Sequence, residues 1–306
     1  MKKVTILDCD FGRGEVEKTI LAAHGYDLVI GDATTEDDAI ALAKDSVGVI
    51  TQYAPVTGRL IDEVPSIRAV VRLGVGLDVI DVAEMERRGV AVSGVNDYCQ
   101  DEVADHAIAL MLGIMRSVSQ LAQATADGHW PTVHQAANLE TLAGKRVGLV
   151  GFGGIARQVA KRLSGFSCDV VVYDPYVTDD QAAAAGVTLT DFPGVLDRDV
   201  VSLHLPLMDA TRHTINADTL AMMPRGSFLI NVSRGGLVDE AALANALDSS
   251  HLAGFAADVV DGDEPGNPLA TRDNVIITPH VAYYSPQSLI RLREIATTTL
   301  VTLLEG

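Results

Sequence analysis

The chain has 306 residues, 48% of them hydrophobic, and a formal net charge of −18 at pH 7. That length suits two domains with large cores, and the acidic balance argues against nucleic acid and anionic membrane surfaces, which need basic patches. The three cysteines, Cys9, Cys99 and Cys168, are widely spaced, form no metal pattern and suit a reducing compartment. Lys2 and Lys3 are followed by a four-residue apolar run and then Asp8, which is no signal-peptide core, and the longest apolar run, 107–115, is too short to span a bilayer. The expectation is a cytoplasmic protein with no membrane or nucleic-acid partner and no metal, in which any anionic ligand needs a local cationic pocket.

Residues 1–96 alternate short apolar runs with amphipathic stretches. Strands are predicted at 4–7, 27–30, 47–50, 69–72 and 90–92, and helices at 15–23, 35–43, 58–63 and 79–88. Short continuous apolar strands belong to parallel sheets covered on both faces, so this part reads as a small doubly wound α/β unit. Residues 101–116, DEVADHAIALMLGIMR, form a strongly apolar helix with acids at its start and Arg116 at its end, as the helix dipole favours. A helix this apolar is buried, and a place between two domains suits it. Residues 128–138 read as irregular.

A second α/β unit begins at Lys145. Residues 147–150 form a short apolar strand, and Gly151-Phe152-Gly153-Gly154-Ile155-Ala156 follows at once. Val159, Ala160 and Leu163 then recur at helical spacing, and an apolar run at 168–173 ends in Asp174. Strand, glycine turn, helix, strand and acid is the arrangement that binds a dinucleotide. Gly151 permits the tight turn, and Gly153 lets the backbone approach a pyrophosphate at the helix N-terminus, where free N–H groups favour an anion. Asp174 can accept hydrogen bonds from a ribose 2′-OH and would repel a 2′-phosphate, and nothing basic follows in Pro175-Tyr176, so NAD is expected rather than NADP. Three glycines meeting by chance in a βα turn would not explain the flanking strands and the acid.

Further strands are predicted at 169–173, 200–203, 227–231, 252–257 and 275–277, and Pro286 can open a last helix, 287–304. That helix is expected to return to the first unit. The domains would then be 1–98 with 285–306, and 99–284.

Three groups lie at predicted strand ends, where open parallel sheets bind ligands. Asn231-Val232-Ser233-Arg234-Gly235-Gly236 offers Arg234, which can clamp a carboxylate with two hydrogen bonds; a surface arginine in a turn fits the same residues. Residues 258–265, DVVDGDEP, offer four carboxylates, most of them solvated, with one available to hold a histidine. Thr278-Pro279-His280-Val281-Ala282 offers His280, which can donate a proton near neutral pH when a carboxylate favours its charged form; a lone histidine is more often structural. His106 falls on a buried helix face, and His204 ends a strand before Pro206.

In this order, with LGVGLD before them, the motifs resemble the D-isomer-specific 2-hydroxyacid dehydrogenases over nearly the whole chain. Arg72-Leu73-Gly74-Val75-Gly76-Leu77-Asp78 is similar to the family's substrate loop, and Glu102-Val103-Ala104-Asp105-His106 to the start of its interdomain helix. His204-Leu205-Pro206 with Thr211 is similar to its nucleotide-contact segment. Tyr53-Ala54-Pro55-Val56-Thr57 and Pro279-His280-Val281-Ala282-Tyr283-Tyr284-Ser285 resemble the branch named for C-terminal-binding proteins.

The resemblance implies a Rossmann cofactor domain and a flavodoxin-like substrate domain, both doubly wound parallel sheets, with a cleft between. It implies NAD-dependent interconversion of a 2-oxoacid and a D-2-hydroxyacid. His280 would donate a proton to the substrate carbonyl oxygen, and Glu264 would hold and charge the imidazole. Arg234 would bind the carboxylate and polarise the carbonyl, with the N–H groups of Val75 and Gly76 at the other carboxylate end. Asp258 would sit near the nicotinamide amide. Cofactor contacts are implied for Val103, Gly151, Gly153, Gly154, Ile155, Asp174, Pro175, Leu205, Pro206, Thr211, Val232, Ser233, Arg234, Asp258 and His280. Substrate contacts are implied for Tyr53, Leu73, Gly74, Val75, Gly76, Arg234, His280 and Tyr283. A homodimer is expected on the same ground.

Two departures stand out. Gly154 occupies the place where the family fingerprint usually has arginine, so one pyrophosphate contact is lost or passes to Arg157. The family's Asp-to-Glu interval before the EP proline is usually one residue shorter, so Asp263 has the expected spacing and Glu264 the expected place beside Pro265. Glu264 is assigned, because the proline fixes the turn that aims it. Two other readings compete: an NAD-sensing, co-repressor-like scaffold with little turnover, and a phosphite-type dehydrogenase of the same fold. The presence of His280, Glu264 and Arg234 favours the 2-hydroxyacid enzyme. A formate-type member has an amide where Glu264 stands.

Overall fold

The computed structural model describes residues 1–12, 14–132, 139–261 and 266–306. The chain forms two compact units, Met1–Cys99 with Tyr284–Gly306, and Gln100–Tyr283.

In the first unit, β1 (Lys2–Ile6), α1 (Glu15–Ala23), β2 (Tyr26–Ile30), α2 (Glu36–Ala43), β3 (Ser46–Thr51), α3 (Gly58–Glu63), β4 (Ala69–Arg72), α4 (Val82–Arg87) and β5 (Ala91–Ser93) follow in turn. The strands are all parallel in the order β2-β1-β3-β4-β5. Neighbouring residues on the central strands, such as Val49 with Ile50 and Val70 with Val71, are both buried. That explains their continuous apolar runs, since each face of the sheet is covered. Helix starts follow local capping. Thr35 and Asp38 form a capping box on α2. The Asp81 side chain accepts from Glu84 N, which starts α4 at Val82 rather than at the predicted 79.

The C-terminal helix (Pro286–Glu305) belongs to this unit. Its Leu292, Ala296, Leu300 and Leu304 form a buried stripe at i, i+4 spacing. It packs on α1, β3 and β4, and Gly48 of β3 admits it: a Cβ there would lie 3.0 Å from Leu304 and 3.2 Å from Leu300. Arg293 on this helix makes a bidentate pair with Glu17 on α1, Nε to Oε1 at 2.7 Å and Nη2 to Oε2 at 2.6 Å. Both side chains are nearly enclosed, so removing either would leave an uncompensated charge.

The second unit runs α5 (Gln100–Met115), α6 (Val118–Ala126), β6 (Arg146–Val150), α7 (Gly154–Leu163), β7 (Asp169–Tyr173), α8 (Asp179–Ala184), β8 (Thr188–Leu189), α9 (Phe192–Leu196), β9 (Val200–Leu203), α10 (Ala217–Met222), β10 (Ser227–Asn231), α11 (Glu240–Asp248), β11 (Leu252–Ala257) and β12 (Val275–Ile277). Its seven strands are parallel in the order β12-β11-β10-β9-β6-β7-β8. The apolar α5 packs on β10, β11 and β12 and against α7, within this unit. The sequence pattern gave no sign of α6 or β8. Residues 133–138 of the segment expected to be irregular lie outside the described residues. Among the described residues, no single helix is long and apolar enough to cross a membrane.

Strand order fixes where ligands can go. It reverses between β6 and β9 in the second sheet and between β1 and β3 in the first. At such a switch point the loops leaving two neighbouring strands diverge and open a crevice beyond their carboxyl ends.

Candidate active site

The loops that carry the candidate residues leave the carboxyl ends of parallel strands, so within each unit they lie on one rim. In the first unit the rim is organised by Asp8, which is 9% exposed just after β1. Its Oδ1 accepts from Thr51 Oγ1 at 3.0 Å and Gln52 N at 2.8 Å. Its Oδ2 accepts from Tyr53 N at 2.6 Å and Ala54 N at 3.2 Å. One carboxylate thus bends the chain after β3 and presents Tyr53, which is 56% exposed. Leu73 is buried, whereas Val75 is 49% exposed. Gly74 has φ +148°, and its oxygen accepts from Val95 N at 2.8 Å. Among the described residues, the N–H groups of Val75 and Gly76 donate to no protein acceptor.

In the second unit the glycine turn follows β6. Gly151 has φ +92°, and a Cβ there would sit 2.5 Å from the His204 carbonyl oxygen, so only glycine fits. Gly153 caps α7 and has open space where its side chain would be. The first N–H groups of α7, from Gly154, Ile155 and Ala156, have no intrahelical acceptor and face this opening. The Gln100 side chain lies against Gly154. Arg157 turns its guanidinium over the Phe152 ring, 4.5 Å from the centroid. Asp174 closes the turn from β7, with Oδ2 accepting from Phe152 N at 2.8 Å and Oδ1 from Tyr176 N at 2.9 Å. The acid is therefore aimed by the glycine turn it serves. Pro175 beside it is exposed. Val103, by contrast, is buried on α5.

After β9, Leu205 packs on the core and Pro206 is exposed. The Thr211 hydroxyl folds this segment on itself, donating to Pro206 O at 2.6 Å and accepting from Met208 N at 2.8 Å.

After β10, Asn231 braces the arginine loop from both sides. Its Oδ1 accepts from Ser233 N at 3.0 Å, and its Nδ2 donates to Arg234 O at 2.9 Å. Ser233 Oγ ties the loop to Leu203 O at 2.8 Å, and Val232 is buried beneath it. A Cβ at Gly235 would overlap the Val260 backbone, so this glycine lets the loop lie directly on the segment after β11. Arg234 donates from Nη1 to Ser233 O at 2.7 Å and, among the described residues, pairs with no carboxylate. In a chain of net charge −18, an arginine held this way offers a local positive charge that a carboxylate could pair with.

Asp258 follows β11 directly and is 2% exposed. Its Oδ1 accepts from Thr278 Oγ1 at 2.5 Å and Val281 N at 3.0 Å, its Oδ2 from Ala282 N at 2.7 Å, and its backbone oxygen from His280 N at 2.9 Å. The loop after β12 is thereby wrapped around one carboxylate. His280 is held at φ +54°, a left-handed conformation that costs a non-glycine residue about 1–2 kcal/mol. Its ring is exposed and stands edge-on to Tyr283, with centroids 6.3 Å apart. Among the described residues, Asp258 is thus the carboxylate of the 258–265 stretch that meets a histidine side chain, and that histidine is His106, 3.5 Å from Oδ1. Asp263 and Glu264 lie outside the described residues. Both flanks of their segment are held by Glu240, which accepts from Asp261 N at 2.9 Å and from Asn267 Nδ2 at 3.1 Å.

The sequence pattern of the D-isomer specific 2-hydroxyacid dehydrogenase NAD binding domain matches residues 108–282. The chain belongs to the D-isomer-specific 2-hydroxyacid dehydrogenases. The second unit carries this dehydrogenase family's NAD-binding domain, and NAD is its cofactor. An (S)-sulfolactate dehydrogenase of Chromohalobacter salexigens is 37% identical over 270 residues, 85% of this chain and 86% of that one. A D-3-phosphoglycerate dehydrogenase of Methanocaldococcus jannaschii is 34% identical over 258 residues, 83% of this chain and 49% of its own. The chain therefore spans about half the length of that relative. A protein of Thermus thermophilus shares the fold with a TM-score of 0.88 at 29% identity, over 99% of this chain and 97% of its own.

Sequence reasoning gave no bracing role to Asn231, Thr278 or His106, which the structure places in the hydrogen bonding of the candidate loops. Only Asn231 had a local signal, an asparagine at a strand end two residues before a turn donor.

His204 adds a titratable group at the switch point. The residue is part-buried, with Nε2 3.0 Å from Ser202 Oγ, and its Nδ1 is buried with no partner among the described residues. Burial pushes its pKa down from 6.5 to about 4, because desolvation disfavours the charged ring. Between those values the unfolded chain binds a proton that the folded chain refuses, so stability falls as pH drops through this window. Between pH 7 and 4.5, the wild type should lose about 2 kcal/mol more than His204→Asn in urea unfolding. Parallel losses in the two proteins would show that the ring is not held neutral.

Proposed function

We propose that the protein is an NAD-dependent oxidoreductase that interconverts a 2-oxoacid and a D-2-hydroxyacid by hydride transfer. One observation carries this reading. A single rim of the second sheet brings together a nucleotide turn closed by Asp174, an arginine with no carboxylate partner among the described residues, and a histidine held in a left-handed turn. The residues fit NAD: open space at Gly153, N–H groups without an intrahelical acceptor at the start of α7, and an acid aimed by the turn. When bound, NAD supplies the hydride chemistry.

The chain's own residues do the rest. The planar Arg234 fork takes the substrate carboxylate and orients the carbonyl. His280 gives a proton to the carbonyl oxygen in reduction and removes it in oxidation. Glu264 is assigned to hold the imidazole. Residues 1–98 with 285–306 are assigned to substrate binding and 99–284 to NAD. The N–H groups of Val75 and Gly76, which donate to no protein acceptor among the described residues, suit a carboxylate oxygen. Phosphoglycerate and sulfolactate, the compounds for which two relatives are named, both carry a second anionic group, so a substrate with such a group is the first choice.

The test is NADH oxidation at neutral pH with 2-oxoacids that differ in bulk and in a second carboxylate, phosphate or sulfonate. Turnover with at least one, and a higher kcat/KM for NADH than for NADPH, is expected. NADH binding without turnover across the panel would overturn the reading in favour of a scaffold. Removing the partner carboxylate removes a charge that favours the imidazolium. Glu264→Gln should therefore move the high-pH decline of reduction to lower pH, and Asp263→Asn should not.

A homodimer is part of the proposal. None of the α6 residues is buried, and Trp130 beyond it is 85% exposed. An apolar surface of this kind suits burial against a second copy. Sedimentation at micromolar concentration should give twice the chain mass; a monomeric mass would contradict it.

A further inference from the structure

Thr278 and His106 are 172 residues apart in sequence, and nothing in the assigned chemistry uses either. His106 projects from α5 and places Nε2 2.8 Å from Thr278 Oγ1. Thr278 Oγ1 is in turn 2.5 Å from Asp258 Oδ1. A threonine hydroxyl has one proton to give. A carboxylate oxygen only accepts, so at 2.5 Å that proton belongs to the Thr278–Asp258 bond. The same hydroxyl must then accept from His106, and His106 carries its proton on Nε2. The direction of each bond follows: His106 N–H to Thr278 oxygen, Thr278 O–H to Asp258.

Asp258 also accepts from Val281 N and Ala282 N, the two residues after His280. The segments before and after His280 are therefore both fixed to one carboxylate, and His106 fixes the hydroxyl that closes the set. Its Nε2 is also 3.5 Å from Asp258 Oδ1, so the donor lies beside the carboxylate as well. A buried carboxylate needs every one of its donors, because an unmatched charge at 2% exposure is costly. His106 is 23% exposed, so its far edge reaches solvent while Nε2 faces inward.

We propose that His106 is a positioning residue for His280. Through Thr278 and Asp258 it holds the loop after β12 in the shape that presents the catalytic imidazole. This rests on the assignment of His280 as the proton donor, and the loop geometry can be tested apart from that assignment.

The test compares His106→Leu, which keeps bulk without a donor, with His106→Gln, which keeps an N–H donor, and Thr278→Val with Thr278→Ser. Amide hydrogen exchange of Val281 and Ala282 in the full-length protein reads the loop directly. In His106→Leu and Thr278→Val, exchange should rise and kcat should fall by about tenfold, the equivalent of one lost hydrogen bond, while the Kd for NADH stays within about twofold. His106→Gln and Thr278→Ser should restore most of both. Unchanged exchange in His106→Leu would overturn the proposal, as would His106→Gln behaving like His106→Leu. If the wild type turned over no 2-oxoacid, the proposed function would fail, and the exchange data would still decide whether His106 holds the loop.

Discussion

A carboxylate withdrawn from water at the end of a strand has to be met by donors, and here the donors come from the next loop along the sheet rim. Asp258 does this in the second unit, taking Thr278, Val281 and Ala282. Asp8 does it in the first, taking Thr51, Gln52, Tyr53 and Ala54. Each pairing converts the cost of a buried charge into a specified loop conformation. Leaving one such donor or acceptor unmatched would cost about 1–3 kcal/mol, comparable with the strain of a left-handed residue. The turn at His280 is tolerable because the bonds on either side of it are made by the same buried group.

The same logic orders the rest of the rim. Asp174 is held by the N–H of the glycine turn, Arg234 by an asparagine brace, and Gly235 removes the side chain that would keep the arginine loop away from the segment after β11. The net charge of the chain would repel an acid substrate at long range, so recognition has to be local and hydrogen-bonded. An arginine without a competing carboxylate among the described residues meets that requirement.

Much of this was legible in the sequence, for reasons that can be named. The dinucleotide turn depends on residues adjacent in the chain, so strand, glycines, helix and acid could be read directly. Continuous apolar runs gave the covered strands nearly to the residue, as at β9, β10 and β11. The helix α6 was not read from the sequence, and none of its residues is buried. The edge strand β8 has two residues, too few for a pattern. Arg157, which could take over the contact that Gly154 lacks, rests with its cation stacked on Phe152. The network from His106 to Asp258 was illegible because its members come from a helix, a strand end and a loop far apart in sequence. Sequence alone offered four carboxylates after β11 as partners for a histidine. The structure matches Asp258 to His106, while the choice between Asp263 and Glu264 falls outside the described residues.

The most direct measurement is a crystal structure of the cofactor-free Asp258→Asn variant. An amide keeps the size of the carboxylate but offers one accepting oxygen instead of two, so either the Thr278 and Val281 donors or the Ala282 donor loses its acceptor. The expected result is that residues 278–282 rearrange and His280 leaves the left-handed region. An Asp258→Asn loop superimposable on the wild type, with His280 still at positive φ, would contradict the claim that this buried carboxylate builds the site.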